Sequence, residues 1–386
     1  MNPTSSWIKS LLFPVSAVLL FFFLLEAVLR LSGYQPKIKF HSFELPYWFE
    51  EFDPAILEEF KKHVMELGFV NEDVYAYRPD DVLGYVLKPG IRKSVRNYSA
   101  SLLVDKMPEW TLVSDESGFR TGESISSSGN ARGTVHVLGD SSSFGWGVDY
   151  EQTYGYVLKE RLNGRSGDGH YNLVNHSMPG FSSFQGRLLL ERLDSIRPGD
   201  WVLVSFGWND SYFSNETDRT QFEKRASVLA RTRDFLNRFL FYKWQKAFWL
   251  GRVHIEESVS PDTGQRVPVQ EYKENLKAIF GDIKSRGAKS VFLSICNFDE
   301  YPQAARSVSK NMSVPFIDFP EQAMALLDQV PTLFAQQFIA YFDIYGDLME
   351  KEPSLMVLFP DYCHPNVIGH QLLGGFVFDS LKNEIG

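Results

Sequence analysis

From Thr134 to the C-terminus, short uninterrupted apolar runs alternate with amphipathic stretches, and no other feature constrains the fold as tightly. The runs are Thr134–Leu138, Tyr171–Val174, Trp201–Phe206, Ser290–Ile295 and Val314–Phe319. They lack the polar–apolar alternation of a strand with one wet face, so each reads as a strand covered on both sides. Gln152–Leu162, Ser183–Ile196, Tyr272–Arg286 and Asn366–Leu381 have helical character. Strands linked through helices pair in parallel, with helices on both faces of the sheet. Residues 133–386 are therefore expected to form one α/β domain, interrupted by an insertion at about 211–269. Within it, Phe222–Trp249 is rich in aromatics and Arg and reads as the packed face of an inserted helix.

The front of the chain is different in kind. Leu11–Leu25 carries no charge, and the apolar stretch resumes after Glu26 as far as Leu29. The 19 residues from Leu11 to Leu29 would span about 28 Å as a helix, close to the ~30 Å of a bilayer's hydrocarbon. Lys9 and the N-terminal amine precede the segment and no acid does, which favours export of the C-terminal part. An uncleaved anchor, a cleaved signal and a buried core helix all fit an apolar segment of this kind. Arg30-Leu31-Ser32-Gly33 makes a poor cleavage site, and no Cys follows for lipid attachment. The reading taken is a transmembrane anchor over residues 1–31. Residues 32–132 then form a membrane-proximal region. It carries a helix over Asp53–Gly68, short strands at Leu83–Leu87 and Trp110–Val113, and a polar boundary at Glu123–Arg132.

Composition narrows the function. Lys and Arg number 39 against 48 Asp and Glu, a net charge of −9, which argues against a nucleic-acid partner. Cys296 and Cys363 are the two cysteines, too few for a disulfide framework or a Cys-rich zinc site. Cys296 reads as a buried apolar thiol.

Ligands of open parallel sheets sit beyond the carboxyl ends of the strands. The residues there are Gly139-Asp140-Ser141-Ser142-Ser143, then Asn175-His176-Ser177-Met178-Pro179-Gly180, then Gly207-Trp208-Asn209-Asp210. Asp361-Tyr362-Cys363-His364-Pro365 precedes the last helix. Together they supply a hydroxyl nucleophile, oxyanion donors and an acid–base pair. A serine needs a neighbouring His to take its proton, and that His needs an acceptor to fix its tautomer. One helical turn would set Asp361 beside His364. Gly180 and Asn209 suit an oxyanion hole, through a close backbone N–H and a side-chain amide.

These four blocks, in this order, resemble the SGNH, or GDSL-type, hydrolase superfamily over about residues 133–386. The resemblance implies a flavodoxin-like three-layer α/β/α sandwich with a parallel sheet. It implies Ser141 as nucleophile, His364 as base and Asp361 as its orienting acid. The Ser141 N–H, the Gly180 N–H and the Asn209 side chain would form the oxyanion hole. The nucleophile elbow Gly-x-Ser-x-Gly of α/β-hydrolases is absent at Ser141. Asp81-Val-Leu-Gly84-Tyr85, Pro89-Gly90, Ser117-Gly-Phe-Arg120, Arg266-Val-Pro268 and Tyr272-x-x-Asn275-Leu276 resemble segments of membrane-anchored bacterial members, many encoded with surface-polysaccharide genes.

The expected protein is a serine esterase on the periplasmic side of a bacterial plasma membrane, held there by a single N-terminal helix. Its expected substrate is an acylated small molecule or glycan. The mechanism calls for no cofactor and no metal. An O-acyltransferase with the same site and a non-catalytic assembly protein are the rival readings. Asp140, Asp210, Ser142 and Ser143 read as structural loop residues, and His136, His176 and His370 as packed histidines.

Overall fold

The computed structural model describes residues 4–34, 37–39, 69–71, 76–96, 109–122, 131–165, 170–225, 232, 235–236, 238–250, 264–296, 300–359, 361 and 363–382. The helix expected over Asp53–Gly68 and most of the polar run at Glu123–Arg132 lie outside these residues. The chain divides into two units. One comprises residues 1–43, 64–75 and 223–258, and the other residues 44–63, 76–222 and 259–386.

The first unit contains the apolar helix Thr4–Leu31 and a short antiparallel pair, β1 (Lys37–Lys39) with β2 (Phe69–Asn71). Apolar side chains of Phe13–Leu31 stand exposed, with none of that window buried in protein. A core helix would be covered, so that reading is removed. Length and hydropathy qualify this helix as a membrane span or a signal sequence. The helix Leu240–Leu250 packs on its last turns. The Phe241 ring lies 4.5 Å from that of Phe22, and the Phe241 N–H donates to Glu26 Oε2 at 3.0 Å. Phe241 is packed as expected, whereas Trp244 and Phe248 of the same helix stack on each other at 5.8 Å and remain exposed.

The second unit is built on one eight-stranded sheet. Its strands are β5 (Arg92–Arg96), β6 (Glu109–Ser114), β7 (Arg120–Thr121), β8 (Ala131–Gly139), β9 (His170–Asn175), β10 (Trp201–Ser205), β11 (Lys289–Ser294) and β12 (Phe316–Asp318), in the order β12-β11-β10-β8-β9-β7-β6-β5. A separate hairpin joins β3 (Tyr77–Asp80) to β4 (Gly84–Leu87). The five expected strands are β8 to β12, all paired in parallel. The sheet is not wholly parallel, because β5, β6 and β7 extend it antiparallel beyond β9. It also runs across the boundary expected near residue 132. A single pairing, Arg120 with Asn175, makes that junction.

Side chains of one strand alternate between two cores, as a sheet covered on both faces requires. Val202 and Val204 pack with Leu276, Ile279 and Phe280 of the Val269–Ser285 helix. Leu203 faces the other way, with Leu158 and Leu373 of the Tyr154–Arg165 and Val367–Leu381 helices. Leu83, Leu87 and Trp110 belong to the first of these cores. The helix expected over Ser183–Ile196 ends at Leu190. There the Arg286 guanidinium takes the Leu190 and Leu193 carbonyls, replacing the next helical N–H groups as donors. Tyr301–Met312 and Ala335–Lys351 are further helices, not foreseen from the sequence.

Candidate active site

Strand β8 ends at Gly139, and the chain turns sharply into the one-turn helix Ser141–Phe144. The turn is possible because Gly139 lacks a side chain: a Cβ there would lie 2.7 Å from the Ser205 carbonyl oxygen of β10. Asp140 caps the helix, its carboxylate accepting the Ser142 N–H at 3.0 Å. Gly145 closes it in the left-handed region (φ 82°). Burial pushes the Asp140 carboxyl up to about 6, although backbone N–H bonds and the His364 charge pull against it.

Ser141, half-buried at the first position of this helix, reaches His364: Oγ and Nε2 are 2.7 Å apart. On the far side of the ring, His364 Nδ1 is 2.7 Å from Asp361 Oδ2. The pair does not sit on a helical turn as the spacing suggested. Asp361 Oδ1 instead accepts the N–H groups of Cys363 and His364 at 3.1 and 2.9 Å, an Asx-type turn ahead of the Val367–Leu381 helix. Carboxylate and imidazole are thus set by the same short loop. Burial lowers the imidazolium's pKa, but the Asp361 charge and hydrogen bond outweigh it, with help from Asp140, and the net shift is upward.

Gly180 follows β9 with φ 80°, a conformation in which glycine is unstrained. Asn209 lies in the short helix Trp208–Ser211 after β10, where its Nδ2 donates to Phe181 O at 3.2 Å and to Asp140 Oδ2 at 3.4 Å. The Met178 N–H donates to Gly139 O at 3.0 Å, closing the β9 loop against β8. Among the described residues the Ser141 and Gly180 N–H groups take no partner within the chain. The four blocks therefore gather at the carboxyl ends of β8, β9 and β10, with His364 brought to Ser141 from the loop before the last helix. The arrangement has a hydroxyl beside a half-buried imidazole, a carboxylate orienting that imidazole, and N–H donors at the neighbouring strand ends. It can activate the hydroxyl for attack on an acyl carbon.

The sequence profile of the GDSL-like Lipase/Acylhydrolase family matches residues 137–372, well over half the chain and all of the residues just described. The chain belongs to that family. Solved structures to which this chain is similar include the psychrotrophic esterase EstA from Pseudoalteromonas sp., 17% identical over 65% of this chain and 98% of its own, with a TM-score of 0.35. The lipase/acylhydrolase from Enterococcus faecalis is 17% identical over 65% and 96%, with a TM-score of 0.35. Axe2, an acetylxylan esterase from Geobacillus stearothermophilus, is 15% identical over 67% and 95%, again at 0.35. Curated proteins gave no significant match. Family membership rests on the profile.

Around this GDSL-family site the structure adds residues whose part the sequence did not disclose. Cys296, just past β11, forms a disulfide with Cys363, with Cα atoms 4.7 Å apart. This corrects the expectation of a free buried thiol. The separation of 67 positions hid a pairing made between the end of β11 and the loop before the last helix. Ser142 Oγ lies 3.4 and 3.2 Å from the two sulfurs. Arg120 is fully buried and gives its guanidinium to the carbonyls of Phe144, Gly145 and Val148, with Trp110 and Phe144 rings 4.8 Å away. It thereby anchors the carbonyl end of the serine helix. Asp210 is structural, as expected, accepting the Ser183 N–H and hydroxyl; burial pushes its carboxyl up to about 7. His136, His176 and His370 are buried. His136 links His176 at 2.9 Å to Asp200 at 3.3 Å, while His370 Nδ1 accepts the Tyr154 N–H. Among the described residues no group of three or more His, Cys, Asp or Glu is arranged to hold a metal.

Proposed function

We propose that this protein is a membrane-anchored serine esterase that removes an acyl group, acetyl foremost, from an extracytoplasmic glycan. The observation that carries the reading is the continuous Ser141–His364–Asp361 relay, with both contacts at 2.7 Å. Ser141 Oγ attacks the ester carbonyl carbon while His364 Nε2 takes its proton. The resulting oxyanion is met by the Ser141 and Gly180 N–H groups and by Asn209 Nδ2, whose contact with Asp140 is long enough to be shared. Collapse expels the alcohol, which receives the proton from His364 and leaves an acyl-Ser141. Water, deprotonated by His364, then releases the carboxylic acid and restores the serine. Asp361 holds the ring and offsets its charge throughout.

Placement outside the cytoplasm is supported by the exposed apolar helix at Thr4–Leu31 and by the Cys296–Cys363 disulfide, a bond that persists in oxidising compartments. The glycan is supported by the front-half motifs, which resemble those of anchored bacterial members encoded with surface-polysaccharide genes. The test is incubation of the full chain, and of Ser141→Ala, with an O-acetylated polysaccharide and an acceptor oligosaccharide. Acetate released by the wild type alone supports the esterase. Acylated oligosaccharide without free acetate identifies a transferase instead. No turnover of any acyl ester would overturn both.

A further inference from the structure

The two peptides flanking the Gly180 Cα are each held by a residue that the relay does not use. The Tyr85 hydroxyl, from strand β4, donates to the Pro179 carbonyl at 2.5 Å. Its ring is wedged edge-on between Phe181, at 5.4 Å, and Tyr77, at 5.7 Å. Arg266 Nη1 donates to the Gly180 carbonyl at 3.1 Å. Arg266 is itself fixed by Asp218, at 2.9 and 3.1 Å, and by Gln185 Oε1, at 3.1 Å. The Gln185 amide in turn donates to Leu83 O at 2.7 Å, beside Tyr85 in sequence.

Peptide geometry turns this grip into a direction for the donor. The Pro179–Gly180 peptide is trans, so its C=O and N–H point in opposite directions. Holding the Pro179 carbonyl against Tyr85 turns the Gly180 N–H the other way. That constraint is needed because a glycine at φ 80° leaves the preceding peptide free to rotate at low cost. The contact also explains why residue 180 stays a glycine in space as well as in φ: a Cβ would lie 2.4 Å from the Tyr85 hydroxyl. Burial raises the phenol pKa to about 12, so the hydroxyl remains a donor over any ordinary assay range.

We infer that Tyr85 is a positioning residue for acyl transfer, which aims the Gly180 N–H at the oxyanion by holding the Pro179 carbonyl, with Arg266 bracing the next carbonyl. This rests on the esterase reading of the site. It extends the working site to a residue outside the 137–372 stretch that the family profile matches. It also ties the oxyanion donor to Asp218 and Arg266, which bracket most of the 211–269 insertion.

The test is steady-state hydrolysis of an aryl acetate by the full chain, its Tyr85→Phe and Arg266→Lys variants, and Ser141→Ala. A lost oxyanion donor costs about 10²–10³ in kcat, and a misaimed one should cost about 10–100-fold. Tyr85→Phe is expected to lose that factor in kcat with KM within about twofold, and to slow fluorophosphonate labelling equally. The pH midpoint of kcat/KM should not move, since the relay is untouched. Arg266→Lys keeps the charge beside Asp218 but withdraws the fork, and should show a smaller loss of the same kind. Wild-type kcat in both variants, beside an inactive Ser141→Ala, would overturn the inference alone. An active Ser141→Ala would overturn the esterase reading and this inference with it.

Discussion

Ser141 and His364 lie 223 residues apart in the chain, yet Oγ and Nε2 meet at 2.7 Å. The serine is fixed by the end of β8 and the helix it opens. The imidazole is fixed by the turn that Asp361 organises ahead of the final helix. Separate elements thus bring the two side chains together at the carboxyl end of β8.

Removing the carboxylate should separate geometry from charge. Asp361→Asn keeps an acceptor for the loop N–H groups but lets the ring take the wrong tautomer, and kcat should fall by about 10²–10⁴. The pH profile gives a sharper readout. His364 must be neutral to act as base, and its pKa stands above the ordinary imidazole value. Wild-type kcat/KM should therefore rise with pH through a midpoint above that value. In Asp361→Asn the midpoint should move to lower pH.

Asp210 is buried with its carboxyl pKa raised to about 7. A raised pKa means the folded state binds the proton more tightly than the unfolded one. The resulting stability is fully present below the unfolded value near 4 and is lost as pH climbs through about 7. Asp210→Asn stays neutral throughout. Its melting temperature relative to wild type should be more favourable at pH 8 than at pH 5, as thermal scans at the two values will show.

The Cys296–Cys363 disulfide closes a loop spanning 67 positions. Chain-entropy arguments put the stabilisation of such a closure at about 4 kcal/mol. Cys296→Ala with Cys363→Ala should lower the urea midpoint accordingly. Because Cys363 adjoins His364, activity should also drop in the reduced wild type, with alkylation and mass measurement confirming the reduction.

Arg120 is a buried cation with three carbonyl partners and remains charged at neutral pH, even though burial lowers its pKa to about 10. Arg120→Ala leaves those carbonyls unpaired and opens a cavity beside Trp110 and Phe144. A loss of about 3 kcal/mol or more is expected from chemical denaturation. Arg120→Lys should recover part of it, since one ammonium can serve some but not all of the carbonyls.

The parallel strands β8 to β12 were legible because a strand covered on both faces has an unbroken apolar run, and Trp201–Phe206 has little else it can be. Ser141, Gly180 and Asn209 were legible because strand ends in such a sheet converge, and Asp361 with His364 because the serine calls for an acid–base pair and that spacing supplies one. The antiparallel addition was not, since β7 is two residues long and joins β9 through Arg120 and Asn175 alone. Cys296 with Cys363, and Tyr85 with Pro179, are contacts between distant segments with no local periodicity to betray them. Tyr85, Arg120 and Arg266 did stand in the motifs noticed in the sequence. Their chemistry became readable only once the carbonyls they hold were known.

The central claim is that Ser141 is a nucleophile activated by His364. Fluorophosphonate labelling of the purified full chain tests it without knowledge of the substrate. One phosphonyl group should add to the wild type, mapped by mass spectrometry to Ser141, with none on Ser141→Ala and a greatly slowed reaction in His364→Ala. Equal labelling of Ser141→Ala, or none of the wild type, would contradict it.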